Sequence, residues 1–70
     1  MKLSARNQLK GTIIEINEGA VNAIVKINVG NNNIITADIT LQSVKELELG
    51  IGKEVIAVIK STSVMIGVES

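Results

Sequence analysis

From Ala20 to Val29 the chain alternates without a break. Val21, Ala23, Val25, Ile27 and Val29 share one parity, and Ala20, Asn22, Ile24, Lys26 and Asn28 share the other. A period of two sends successive side chains to opposite faces of a pleated backbone, so this stretch predicts a half-buried strand. The same pattern extends to its neighbours. Residues 9–17 read as a strand that ends in the turn Asn17, Glu18, Gly19. Gly30, Asn31, Asn32 and Asn33 give a hairpin signal, because Gly and Asn tolerate positive φ. Residues 34–39 follow as a third strand, with Ile35, Ala37 and Ile39 on one face. Residues 54–60 read as a fourth strand and residues 64–68 as a fifth, with Val64, Ile66 and Val68 on one face of the last.

One segment departs from this period. Leu41, Val44 and Leu47 are spaced for a helix, Thr40 is a good N-cap, and Gly50 and Gly52 end the segment. A short helix is therefore expected between strands three and four. The order strand, strand, strand, helix, strand, strand is that of an all-β, five-stranded OB-type barrel. An SH3-like small barrel is the alternative, and the position of the helix favours the OB arrangement. Seventy residues make one domain, spanning 1–70.

The core of such a barrel must be aliphatic, since the chain has no Phe, Tyr or Trp. It has no Cys and no His either, so disulfides, thiolate metal sites and the commonest metal ligand are absent. A domain this small buries only about 60% of its unfolded surface. Small scaffolds compensate with disulfides, metals or assembly, and here assembly with other copies is favoured. Strand four supports this. Val55, Ala57 and Ile59 fall on one face and Ile56 and Val58 on the other, so both faces are apolar. Strand one repeats this mildly, with Ile13 beside Ile14 and Ile16. A neighbouring subunit covering the outer side explains strands that are dry on both faces. Burial of Ile56 or Ile14 under a loop is the other explanation.

Several function classes are disfavoured. Seven basic and seven acidic residues cancel, which speaks against general phosphate-backbone binding. Without aromatic rings there is no stacking platform for single strands. No apolar run approaches the roughly 20 residues of a membrane span, and the N-terminus has no signal-peptide core. A soluble, cytoplasmic protein is expected. For catalysis there is no Cys or His to serve as nucleophile or base. Glu15, Glu18, Glu46, Glu48, Glu54 and Glu69 look like solvated strand ends or helix surface, and Asp38 alternates outward from its apolar neighbours. The six glycines are spread as turn and bulge residues and form no phosphate loop.

Two polar islands remain. The first carries Ser4 and Arg6, and the second runs Lys60, Ser61, Thr62, Ser63. Strands one and four of an OB barrel pair antiparallel, which sets the start of the first near the end of the fourth. Ser4, Arg6, Lys60 and Ser61 would then share one rim. Thr40 and Ser43 sit in the first turn of the expected helix, where unpaired N–H groups favour negative charge. Each of these residues also has an ordinary role, as helix cap, turn residue or solvated lysine. Their convergence favours a receptacle for a small oxyanion.

The residues that carry these features also carry a resemblance. Ser4-Ala5-Arg6-Asn7-Gln8-Leu9-Lys10-Gly11, Gly19-Ala20-Val21-Asn22-Ala23, Ile39-Thr40-Leu41-Gln42-Ser43-Val44 and Val58-Ile59-Lys60-Ser61-Thr62-Ser63-Val64-Met65-Ile66-Gly67 closely resemble the molbindins. These are small molybdate- and tungstate-binding proteins of the transport-associated OB type. The resemblance covers essentially the whole chain, with the motifs in family order and spacing. It implies an OB-type barrel assembled as a hexamer, a trimer of dimers, that binds molybdate and tungstate at subunit interfaces for storage and homeostasis. By residue-wise transfer, Ser4, Arg6, Lys60 and Ser61 of one subunit would form the main site with Thr40 and Ser43 of its neighbour. Arg6 acts there through its side chain or through its backbone N–H. A second kind of site near the three-fold axes would use Gly19, Ala20, Val21 and Asn22, a turn that also suits subunit packing. No catalytic cofactor, cation ligand, nucleic acid or membrane enters this reading. A ligand-sensing module that works with a separate regulator or transporter is the alternative role.

Overall fold

The computed structural model describes residues 3–69. The expected span 1–70 therefore includes Met1, Lys2 and Ser70, which lie outside the described residues. Four strands form one antiparallel sheet: β1 (Asn7–Glu18), β2 (Asn22–Asn28), β3 (Ile34–Thr40) and β4 (Glu54–Ile59), in the order β3-β2-β1-β4. A short helix α1 (Leu41–Glu46) links β3 to β4, and a 3₁₀ turn (Ser61–Ser63) follows β4. The sheet curls around one aliphatic core and is an OB-type fold. No helix among the described residues is long and apolar enough to cross a membrane.

The expected alternation is realised from Asn22 to Asn28, while Val21, on the buried parity, falls in the preceding turn and is exposed. Ala23, Val25 and Ile27 are buried, while Ile24, Lys26 and Asn28 are half-buried on the other face. Ile13 from β1, Val44 from α1 and Ala57 from β4 complete the buried core. β1 is longer than expected and contains a bulge: the register passes from Ile13 opposite Ile27 to Glu15 opposite Lys26. The skipped residue, Ile14, resets the parity. Ile13 is buried and Ile16 packs against the core, while Ile14 is exposed. The crowded apolar residues of strand one are thus the sequence trace of a bulge, which adds twist and bends a strand.

Two turns use left-handed backbone. Gly30, Asn31 and Asn32 have φ of 107°, 51° and 61°, and Val29 N–H donates to Asn33 C=O at 2.9 Å to close the hairpin. Helix α1 stops at Glu46, before Gly50 and Gly52. Its end is held instead by Lys53, whose Nζ donates to the carbonyls of Leu47 (2.7 Å) and Glu48 (3.1 Å), with Glu48 at φ 53°. A lysine at a helix C-terminus satisfies orphan carbonyls and suits the dipole.

Gly11 is set by close approach. A Cβ there would lie 2.6 Å from Ile27 Cγ2 and 2.7 Å from the Asn28 carbonyl oxygen. The backbone oxygen belongs to the β1–β2 ladder and cannot yield cheaply. Gly11→Ala is expected to destabilise the fold by about 2–3 kcal/mol. That should appear as a fall in melting temperature of roughly 10–20 °C for a domain of this size. An unchanged melting curve would mean that the strands separate to admit the methyl group.

The fifth strand is corrected. After the 3₁₀ turn, residues 64–69 belong to no sheet, and Met65, Ile66 and Val68 are 93%, 92% and 88% exposed. The cause is a missing partner. A strand needs a sheet edge for its N–H and C=O groups and a dry surface for its apolar face, and among the described residues this segment pairs with no edge of its own chain and buries no apolar face there. The facing edges of β3 and β4 are likewise unpaired. Between them lies an open, mostly apolar cleft of about 1140 Å³, with Ile35, Ala37 and Ile39 on one wall and Val55, Ala57 and Ile59 on the other.

Candidate functional site

The pairing of β1 with β4 is antiparallel, with Asn7 opposite Ile59 and Thr12 opposite Glu54. The chain therefore enters β1 beside the point where it leaves β4. Ser4, Arg6, Lys60 and Ser61 all line one open basin of about 480 Å³, together with Leu3, Ala5, Val58 and Thr62. The four sequence-selected residues are exposed around its rim, and Ala5 is half-buried. Thr62, part of the second polar island, adds a hydroxyl to the basin beyond the expected site residues.

The electrostatics of the basin are one-sided. Neither Arg6 nor Lys60 has a carboxylate within 4.0 Å among the described residues; the ion pair found there, Lys26 with Glu15 at 3.5 Å, is elsewhere on the sheet. Lys60 precedes the 3₁₀ turn as its N-cap but makes no side-chain capping bond. Its ammonium thus has no structural assignment. Two uncompensated cations with serine and threonine hydroxyls suit a small anion that only accepts hydrogen bonds.

Thr40 and Ser43 stand apart from this basin. Thr40 ends β3 opposite Asn22, which begins β2, and Ala23 is opposite Glu18 at the far end of β1. The two groups are separated by the length of β1, roughly 35 Å of strand path at the usual rise per residue. One chain does not bring them together. Thr40 fulfils the expected cap: its Oγ1 accepts the Ser43 N–H at 3.0 Å, and the two hydroxyls are bonded to each other at 2.9 Å. That mutual bond uses one hydroxyl proton and leaves one free.

The turn Gly19, Ala20, Val21, Asn22 lies at this same far end. Gly19 N–H donates to the Asn22 carbonyl at 2.7 Å, and Leu41 N–H donates to the Val21 carbonyl at 2.9 Å, tying the turn to the start of α1. The Asn22 amide donates to Asp38 at 3.2 Å. Asp38 faces outward as expected, and cross-strand proximity gives it Asn22 as a partner. Among the described residues the Ala20 and Val21 N–H groups donate to no backbone carbonyl.

The sequence matches the TOBE domain family over residues 3–66. A probable molybdenum-pterin-binding protein of Haemophilus influenzae is 56% identical over 69 residues, which cover 99% of this chain and all of that protein. Among solved structures, MopII from Clostridium pasteurianum superposes with a TM-score of 0.90 at 46% identity, covering 96% of this chain and all of MopII. The cytoplasmic molybdate-binding protein ModG, crystallised with molybdate bound, superposes with a TM-score of 0.82 at 51% identity. That match covers 87% of this chain and 43% of the ModG chain.

Proposed function

This chain belongs to the TOBE domain family, and on that premise we propose that it is a cytoplasmic oxyanion-binding protein that holds molybdate, and tungstate with it, at interfaces between copies of itself. The observation that carries the reading is the basin where Arg6 and Lys60, both without carboxylate partners among the described residues, stand beside Ser4 and Ser61. The chain then acts as one domain that stores and buffers molybdenum, with no catalytic step.

Molybdate at neutral pH is a tetrahedral dianion whose oxygens only accept hydrogen bonds. It is held best by donors already in place, because charge-assisted hydrogen bonds are shorter and roughly twice as strong as neutral ones. The Lys60 ammonium is a compact charge that suits a near-spherical anion. A guanidinium fork fits planar carboxylates better, so Arg6 serves the anion through its backbone N–H. Thr40 and Ser43 of a neighbouring copy, with their one free hydroxyl proton, close the open side of the basin. Closure excludes water, which strengthens every contact inside. It also fixes the cavity size, so sulfate, being smaller, binds less well, whereas molybdate and tungstate are nearly equal in size and compete.

Assembly follows from the same separation. The two sets of donors lie at opposite ends of β1, so a complete site needs two chains. The exposed outer side of β4 and the apolar segment after the 3₁₀ turn supply surface for such contacts. A hexamer built as a trimer of dimers meets this requirement, with the turn at residues 19–22 and its free Ala20 and Val21 N–H groups offered to a second oxyanion.

Native mass spectrometry after incubation with sodium molybdate tests both parts. The expected spectrum is that of a hexamer with a discrete number of bound oxyanions. A monomer that carries none would refute the proposal.

A further inference from the structure

Among the described residues, one side-chain bond fastens the arm that carries Ser4 and Arg6. Gln8, the second residue of β1, is exposed and lies opposite Val58. Its Nε2–H donates to the Ala5 carbonyl at 2.8 Å. Gln8 does not line the basin, whereas Ala5 and Arg6 do.

The Ala5 carbonyl and the Arg6 N–H belong to one peptide group. That group is planar and trans, so the two bonds point in opposite directions. Holding the carbonyl toward Gln8 therefore aims the Arg6 N–H the other way. This N–H takes no part in the backbone hydrogen bonds of the described residues, so it is open to an external acceptor. Were the peptide to flip, a carbonyl oxygen would face the anion with its negative end. An N–H presents its positive end and can donate.

We propose that Gln8 is a positioning residue of the oxyanion site: its amide turns the Ala5 carbonyl out of the basin and the Arg6 N–H into it. This rests on the reading of the basin as the molybdate site. The bond orders the arm before the ligand arrives, which lowers the cost of binding. It leaves the sheet untouched, because the Gln8 side chain packs into no part of the core.

The test compares the unaltered chain with Gln8→Met, which keeps the length without the amide, and Gln8→Glu, which keeps the shape but has no proton to donate when ionised. Titration calorimetry with sodium molybdate is expected to give about tenfold weaker binding for Gln8→Met, the scale of one lost hydrogen bond. In amide NMR spectra the Arg6 resonance should shift when molybdate is added to the unaltered chain and shift far less in both variants. Amides of β2 and β3 should match in all three ligand-free proteins. A purely structural role would not single out the Arg6 amide. Equal affinity of Gln8→Met and the unaltered chain overturns the assignment, as does an equal Arg6 response. Weakening confined to Gln8→Glu attributes the effect to added charge and overturns it as well. Failure of the unaltered chain to bind molybdate removes the basin as a site, and Gln8 loses this role with it; that result is distinct from binding that ignores Gln8.

Discussion

Lys60→Ala is expected to weaken molybdate binding by about 10- to 100-fold, the range of a hydrogen bond to a charged group, while leaving the fold intact. The residue stands immediately after β4, is exposed, and makes no side-chain bond in capping the 3₁₀ turn. Removing it opens no cavity and orphans no partner among the described residues, so circular dichroism and melting temperature should hold. The loss should fall equally on molybdate and tungstate, because the interaction is with charge and not with size. Lys60→Arg should recover only part of the affinity, since a planar fork matches a tetrahedron less well than a compact ammonium does. Arg6→Ala should cost less than Lys60→Ala, as the Arg6 backbone N–H survives the substitution. Calorimetry that returns an unchanged affinity for Lys60→Ala would remove this lysine from the site.

What the sequence discloses here depends on whether a feature is local. The alternation of β2, the Gly30 to Asn33 turn and the Thr40 cap are fixed by neighbours in the chain, and all three appear, with β2 shortened to Asn22–Asn28 so that Val21 is left exposed in the turn before it. The pairing of β1 with β4 is not local, yet the OB order of elements implies it, and Asn7 does face Ile59. The bulge at Ile14 was present in the sequence only as an excess of isoleucines, because parity alone does not say where a strand slips. The fifth strand was misjudged for a different reason. Alternation at Val64, Ile66 and Val68 reports the wish of a segment to be half-buried, and it does not report which chain supplies the surface.

The site divides in the same way. Ser4, Arg6, Lys60 and Ser61 could be brought together on paper because two antiparallel strand ends meet, and they line one basin. Thr40 and Ser43 belong to the opposite end of the sheet, so the sequence pointed to donors that a single chain keeps apart. Gln8 belongs to the first motif but carries no role in the sequence, because its contact is with a backbone carbonyl three residues away. Nothing in residue identity marks such a bond, although a glutamine three places after a small residue at the mouth of a strand is compatible with it.

Ile56→Glu is expected to break the assembly and to abolish molybdate binding with it. Ile56 lies on the side of β4 away from the core and is 38% exposed, with Val58 at 44% on the same face. No loop covers it. In an assembly that buries this face, a carboxylate would be taken out of water without a partner, which costs several kcal/mol at each copy. In the separated chain the same glutamate is harmless, because position 56 faces Lys10 across the β1–β4 ladder and opposite charges in that arrangement are favourable. The substitution thus discriminates between folding and association. Light scattering should report the mass of a single chain, circular dichroism should report retained strand content, and calorimetry should show no binding, since the proposed site draws donors from two copies. Ile56→Thr, which is polar but uncharged, should give an intermediate, concentration-dependent mass. A hexamer that persists with glutamate at this position would show that its outer surface stays in water, and the copies would then have to meet through the unpaired edges of β3 and β4 and the apolar segment that follows the 3₁₀ turn.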